Sequence, residues 1–247
     1  MNSRDDLQLL RSRILGLVNQ YSEVAFSQSE FTPGEDSIPV SGKVIGAPDI
    51  TNMVDACLDG WLTTGRFNDR FESELADFIG VKHALSVNSG SSANLLALFA
   101  LINPLKKNKL KFGDEVLIPA LCWSTSLWPI VQAGLKPVFV DTDPKTLNIS
   151  INDLKKKITK KTKAIMLVHV LGNCTNMDQI KNIVRSKKIT LIEDTCESLG
   201  SKYKNKYLGS YGTFGSFSFY YSHQITSGEG GMIVCNSRED YEIIHSL

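Results

Sequence analysis

An excess of charge is the first thing this sequence lacks. Its 247 residues carry 27 Lys and Arg against 26 Asp and Glu, a formal balance of +1. That leaves neither the basic footprint of a nucleic-acid binder nor a polybasic tether for anionic lipid, so partners must be recognised locally. Cysteine is scarce. The five residues, Cys57, Cys122, Cys174, Cys196 and Cys235, are odd in number, scattered and free of CxxC pairs, which excludes a disulfide framework and leads us to expect a reducing, cytoplasmic compartment. Residues Met1 to Asp6 include two acids with no apolar run behind them, so no secretory signal is expected. Neither GxxxxGK[ST] nor GxGxxG occurs, so nucleotide hydrolysis and dinucleotide binding lose support. Two stretches, Ala84 to Leu105 and Val116 to Leu135, lack charge and reach the roughly 20 residues that a bilayer span requires. Each is interrupted by serines, prolines or asparagines, which indicates strand, polar turn and buried helix rather than membrane insertion.

What is present suits one sizeable domain, or a domain and a half. Leu7, Leu10, Ile14 and Val18 recur at helical spacing and predict an amphipathic helix up to about Tyr21. The polar stretch from Ser27 to Ser41, with Pro33, Gly34 and Pro39, reads as an arm packed on the domain or on a partner subunit. We therefore expect an N-terminal helix and arm over 1–45 and a large domain over 46–247. Strands are predicted at Ala84 to Val87, Glu115 to Ile118, Pro137 to Val140, Ala164 to Val168 and Thr190 to Ile192, each with a helix to follow. That alternation is the signature of an α/β fold on a mainly parallel sheet. Past Gly200 the pattern changes to short pieces that we expect to be antiparallel, then a strand at Gly231 to Val234 and a helix from about Ser237. The end at Leu247 falls inside that helix, which leads us to expect a missing C-terminal portion.

Three segments could carry chemistry. Ser89-Gly90-Ser91-Ser92-Ala93-Asn94 lies between a strand and an apolar helix, where free N–H groups and hydroxyls suit a phosphate; the same serines also suit ordinary N-capping. Glu193 and Asp194 follow a strand and face the crevice where open α/β sheets bind ligands. One of them could pair with a protonated heterocycle nitrogen, or both could merely cap the next turn. In the third segment, His223 stands between hydroxyl-bearing Ser218 and the glycine-rich turn Gly228-Glu229-Gly230-Gly231, a credible place for a general base. His83 and His245 read as structural or solvated.

Taken in order and spacing, these segments resemble the DegT/DnrJ/StrS sugar aminotransferase family from about Ser41 onward. Gly60-Trp61-Leu62-Thr63-Thr64-Gly65 and Pro119-Ala120-Leu121-Cys122-Trp123-Ser124 add to the likeness. The resemblance implies the large domain of a type I, aspartate-aminotransferase-like, pyridoxal-phosphate enzyme, with the small C-terminal domain missing here. It further implies that Gly90, Ser91 and Ser218 hold the cofactor phosphate. Trp123 would stack on the pyridine ring, Asp194 would pair with its nitrogen, and Glu197 would sit near its phenolic oxygen. A homodimer is expected by the same analogy.

One departure bears on the chemistry. Where the aminotransferases carry the cofactor on a lysine, five residues before the first glycine of GEGG, this sequence has His223, and no lysine follows Lys206. The resemblance therefore narrows to the sugar 3-dehydrases, and implies that His223 moves a proton at C4′ of pyridoxamine phosphate while the C3 hydroxyl of a nucleotide-linked 4-keto-6-deoxyhexose leaves. Ser41 to Gly46 and Asp59 to Asp69 resemble the lipopolysaccharide branch that acts on the CDP sugar, whereas Trp123 and Tyr221 resemble the branch that acts on the GDP sugar. The CDP branch carries a [2Fe-2S] cluster and works with an NAD(P)H-dependent reductase; Cys196 matches its first cluster ligand. A true nucleotide-sugar aminotransferase and an inactive regulatory or scaffold homologue are the rival readings.

Overall fold

A computed structural model of the chain describes residues 3–27, 30–38 and 44–247. Ser41, Gly42 and Lys43 of the family-like motif lie outside them, as does part of the arm. The chain forms two compact units, Met1–Asp69 and Arg70–Leu247.

In the first unit α1 (Ser3–Ala25) packs on α2 (Ala47–Leu58). Pro48 opens α2, where the missing N–H costs nothing, and the Asp49 carboxylate accepts the Gly46 N–H at 2.8 Å. Arg11 of α1 donates to Asp55 and Asp59 of α2, and Arg66, at the start of α3 (Arg66–Ile79), donates to the same two carboxylates. The N-terminal helix is four residues longer than its periodicity predicts. Its Leu7, Leu10 and Ile14 are exposed, while Leu15 and Val18 are half-buried on the face that carries Arg11.

The second unit is built in chain order from β1 (His83–Val87), α4 (Gly90–Ile102), β2 (Glu115–Pro119), α5 (Ser124–Gln132), β3 (Lys136–Val140), α6 (Ile151–Lys157) and β4 (Thr162–Val168). It continues through α7 (Met177–Lys187), β5 (Thr190–Asp194), the short hairpin β6 (Lys202–Tyr203) and β7 (Lys206–Tyr207), then β8 (Phe214–Ser218), β9 (Gly231–Cys235) and α8 (Arg238–Ser246). Seven strands form one sheet in the order β1-β9-β8-β5-β4-β2-β3. All pairs are parallel except those made by β9, which runs against both β8 and β1. After Gly200 the pieces pair antiparallel as expected, β6 with β7 and β8 with β9, while β8 also lies parallel to β5, which leaves β9 as the one reversed strand of the seven.

Side chains alternate across each strand, so the two faces of the sheet build separate cores. Val116, Ile118, Met166, Ile192 and Phe214 pack under α4, α5 and α8. Leu117, Ile165, Leu167 and Leu191 pack under α6 and α7 on the opposite face. A third cluster joins Leu75 and Ile79 of α3 to Phe217, Phe219, Met232 and Val234. Side-chain caps fix where the helices start: Ser89 for α4, Ser150 for α6, Asn176 for α7 and Ser237 for α8. The uncharged stretches are strand–turn–helix units as expected, and among the described residues no helix is long and apolar enough to cross a membrane.

A candidate cofactor site at the carboxyl ends of the strands

The carboxyl ends of β4, β5 and β8 and the amino end of α4 surround a cavity of about 380 Å³, within the ordinary range for a small-molecule site. Gly90, Ser91, Trp123, Asp194, Cys196, Glu197, Ser218 and His223, the residues singled out from sequence, all line it.

At one wall Ser89 caps α4 by accepting the Ser92 N–H at 3.1 Å. The Gly90 and Ser91 N–H groups have no acceptor among the described residues, and a helix start with unsatisfied donors attracts an anion. Ser91 Oγ and Thr125 Oγ1 are hydrogen-bonded at 2.8 Å beside them. Glycine is required twice in this wall, at Gly90 because neighbouring side chains fill the space of a Cβ and at Gly231 because backbones meet. A Cβ on Gly90 would stand 2.6 Å from both Cys196 Sγ and Ser218 Cβ, and one on Gly231 would stand 2.2 Å from the Ser89 carbonyl carbon. The GEGG turn is thereby clamped against the start of α4.

β5 separates the two acids that the sequence leaves together. Glu193 points with Leu191 to the α7 side, away from the cavity, which corrects the expectation that both face the crevice. It is fully buried and accepts the N–H groups of Gly209, Tyr211 and Gly212 at 3.2, 2.7 and 2.9 Å, with His169 Nε2 at 3.3 Å. Asp194 points with Ile192 to the α4 and α5 side. Its Oδ2 accepts from Asn94 Nδ2 at 2.8 Å and Ser126 Oγ at 2.7 Å, and its Oδ1 accepts the Cys196 N–H at 3.1 Å. Ser216 donates in turn to Asn94 Oδ1 at 2.6 Å. No Lys, Arg or His pairs with Asp194 among the described residues, although it is only 4% exposed. A buried carboxylate with neutral donors and no cation calls for a positive partner. A protonated ring nitrogen in the cavity would meet that need.

Trp123 precedes α5 and is 69% exposed, which rules out plain core packing. Glu197 accepts the Leu171 N–H at 3.0 Å, and Gln224 Nε2 donates to its carbonyl at 2.7 Å. His223 donates its N–H to the Tyr220 carbonyl at 3.0 Å, with the Tyr220 ring edge-on to its imidazole at 6.3 Å. Cys196 has its thiol pushed well above the usual range, by burial first and the Asp194 charge second. Among the described residues no three His, Cys, Asp or Glu side chains converge as a metal site, so Cys196 gains no co-ligand here.

Asn94 and Ser126 have no assigned role in the sequence reading. The signal lies in their placement: each is the last polar residue before the apolar run of its helix, Asn94 one turn after Gly90 and Ser126 two residues after Ser124. Polar side chains in such places need a buried partner.

The chain is similar to several known proteins. Over 239 residues the chain is 49% identical to the lipopolysaccharide biosynthesis protein RfbH of Salmonella typhimurium, covering 96% of this chain and 55% of that protein. It is 42% identical over 238 residues to the dTDP-4-dehydro-2,6-dideoxy-D-glucose 3-dehydratase of Saccharopolyspora spinosa, covering 96% and 51%. The solved E. coli GDP-4-keto-6-deoxy-D-mannose-3-dehydratase with bound hydrated PLP superposes with a TM-score of 0.80 at 42% identity, covering 85% of this chain and 54% of that one. The chain thus spans about half the length of the relatives it matches. Residues 45–247 match the model of one family throughout, and the chain belongs to that family, the DegT/DnrJ/EryC1/StrS aminotransferases.

Proposed function

We propose that this chain is the cofactor-binding part of a pyridoxamine-phosphate-dependent 3-dehydrase that removes the C3 hydroxyl of a nucleotide-linked 4-keto-6-deoxyhexose, for dideoxysugar and lipopolysaccharide biosynthesis. The observation that carries the reading is His223 on the wall of the cavity that also holds Asp194, Ser218 and the start of α4, in the position where aminotransferases of the family carry lysine.

Gly90 and Ser91 would receive the cofactor phosphate with Ser218, their N–H groups and hydroxyls matching a dianion. Trp123 would cover the pyridine face, and Asp194 would hold the ring nitrogen protonated. Glu197, tied to the 170–172 turn, would sit by the phenolic oxygen. When bound, the cofactor supplies an amine for the 4-keto group and an electron-withdrawing ring that stabilises charge beside it. His223 would take and return the proton at C4′, since an imidazole can serve as base and as acid. An imidazole cannot tether the cofactor covalently, so affinity rests on the phosphate contacts, the Trp123 face and the Asp194 ion pair.

A CDP-linked sugar is the favoured substrate, because Asp59 to Asp69 resemble that branch; the GDP-linked sugar is the alternative, on Trp123 and Tyr221. A homodimer and an NAD(P)H-dependent reductase partner go with the CDP reading. The [2Fe-2S] cluster would need ligands beyond Cys196.

The experiment is replacement of His223 by Asn in the full-length protein. Loss of C3 deoxygenation by about 10²-fold or more, the usual contribution of a general base, with cofactor binding retained, is the expected result. Wild-type turnover in that variant overturns the assignment, and so does covalent trapping of the cofactor on the chain by borohydride, which would restore the aminotransferase reading. Failure of the full-length protein to bind pyridoxamine phosphate would revive the scaffold reading.

A further inference from the structure

Helix α1 lies outside the segment that matches the family model, which begins at residue 45, and it carries two separate faces. Arg11, Leu15, Val18 and Ser22 form the more buried one, with Arg11 bonded to α2. The other is a row of apolar side chains left in solvent: Leu7, Leu10, Ile14, Leu17, Tyr21 and Val24, between 40% and 79% exposed. Their spacing is three, four, three, four, three. That is the alternation of a heptad seam, with Leu7, Ile14 and Tyr21 at one core position and Leu10, Leu17 and Val24 at the other.

We propose that α1 pairs in parallel and in register with α1 of a second copy of this chain, as a short two-stranded coiled coil about 35 Å long at 1.5 Å per residue. Three features choose the occupant. A heptad seam is self-complementary, since each residue meets its own equivalent across a two-fold axis. A β-branched residue at the first core position with leucine at the second favours two parallel strands, and the central heptad has Ile14 flanked by Leu10 and Leu17. The charges beside the seam agree. In a parallel pair Asp6 faces Arg11 of the second copy, twice by symmetry. Arg11 spends Nε and Nη2 on Asp55 and Asp59, and its Nη1 has no acceptor among the described residues. An antiparallel pair centred on Ile14 would instead set Arg13 against Arg13.

The test uses cysteines placed one at a time in a Cys57→Ser background, because Cys57 is exposed. Leu10→Cys and Leu17→Cys should each cross-link to the same residue of another chain under copper phenanthroline and air. Asn19→Cys, on the back of the seam, should react about tenfold or more slowly, since proximity sets the effective concentration. Cross-linking at only one of the two seam positions would mean an antiparallel pair, and equal rates at seam and back would mean random collision; either overturns the proposal. Absence of cross-linking at both seam positions overturns it as well and assigns the stripe to another partner. Dehydrase activity is measured separately and decides nothing here, so this inference and the catalytic reading fail independently.

Discussion

Asp194 is a carboxylate sealed under two helices, with hydrogen-bond donors but no cation beside it among the described residues. Three neutral donors hold it: Asn94, Ser126 and the Cys196 amide. Removing one leaves a buried charge less satisfied, at a cost of about 1–3 kcal/mol. For Ser126→Ala we therefore expect a lower urea midpoint in the cofactor-free protein, and a ring-nitrogen environment altered enough to shift the absorbance of bound pyridoxal phosphate. An unchanged midpoint with an unchanged spectrum would show that Ser126 does not hold Asp194. Glu193, one residue earlier, has the opposite design: His169 and three backbone N–H groups satisfy it completely, with nothing left for a ligand. The two acids look alike in sequence, and only the strand's period of two distinguishes them.

At the scale of elements, α1, α2 and the start of α3 are joined by a four-charge cluster. Asp55 and Asp59 titrate below their ordinary 3.8, first because Arg66 and then because Arg11 hydrogen-bonds to them. A carboxylate lowered by folding contributes its full support above its unfolded value, and that support is lost as pH falls through the folded one. We expect amide exchange in α1 and α2, corrected for intrinsic rates, to be constant from pH 7 to 5 and faster once the pH drops below about 3.8, with the high-pH protection reduced by salt. Equal protection at pH 3 and pH 6 would argue against it. Strands and helices of the second unit were legible because strands are short apolar runs bounded by turns, and all six predicted strands begin and end within two residues of their predicted bounds. The antiparallel pairing of β8 with β9 was legible, but not its parallel pairing with β5: Ser216 and Ser218 in an aromatic strand gave no sign of a parallel neighbour on the other side. Nor was the double face of α1, since periodicity alone merges Val18, which faces inward, with Leu7 and Leu10, which face solvent.

For the molecule as a whole, every wall of the cavity comes from Arg70–Leu247, so this unit holds the residues proposed to grip the cofactor. Ligand that binds only the folded state stabilises it by mass action, about 2.7 kcal/mol at a hundredfold excess over Kd. Pyridoxal phosphate should accordingly raise the urea midpoint of the chain in a concentration-dependent way, and pyridoxine, which lacks the phosphate, should do so far less. Equal effects of the two would remove the start of α4 from the phosphate site. The site residues were legible as a set because they fall in four short segments at strand ends, after β1, β2, β5 and β8. Their supports, Asn94 and Ser126, come from two helices that converge only when the sheet is assembled.

The alternation along β5 also bears on how the protein reaches its final state. A slip of one residue in pairing with β4 would still bury both acids and most of the apolar side chains, but it would send Glu193 toward Asn94 and leave the turn at Gly209 to Gly212 facing a shorter side chain. Such a misregistered chain would look folded to circular dichroism yet offer vitamin B6 no counter-charge at the correct depth, so refolding yield is better scored by coenzyme uptake than by helix content.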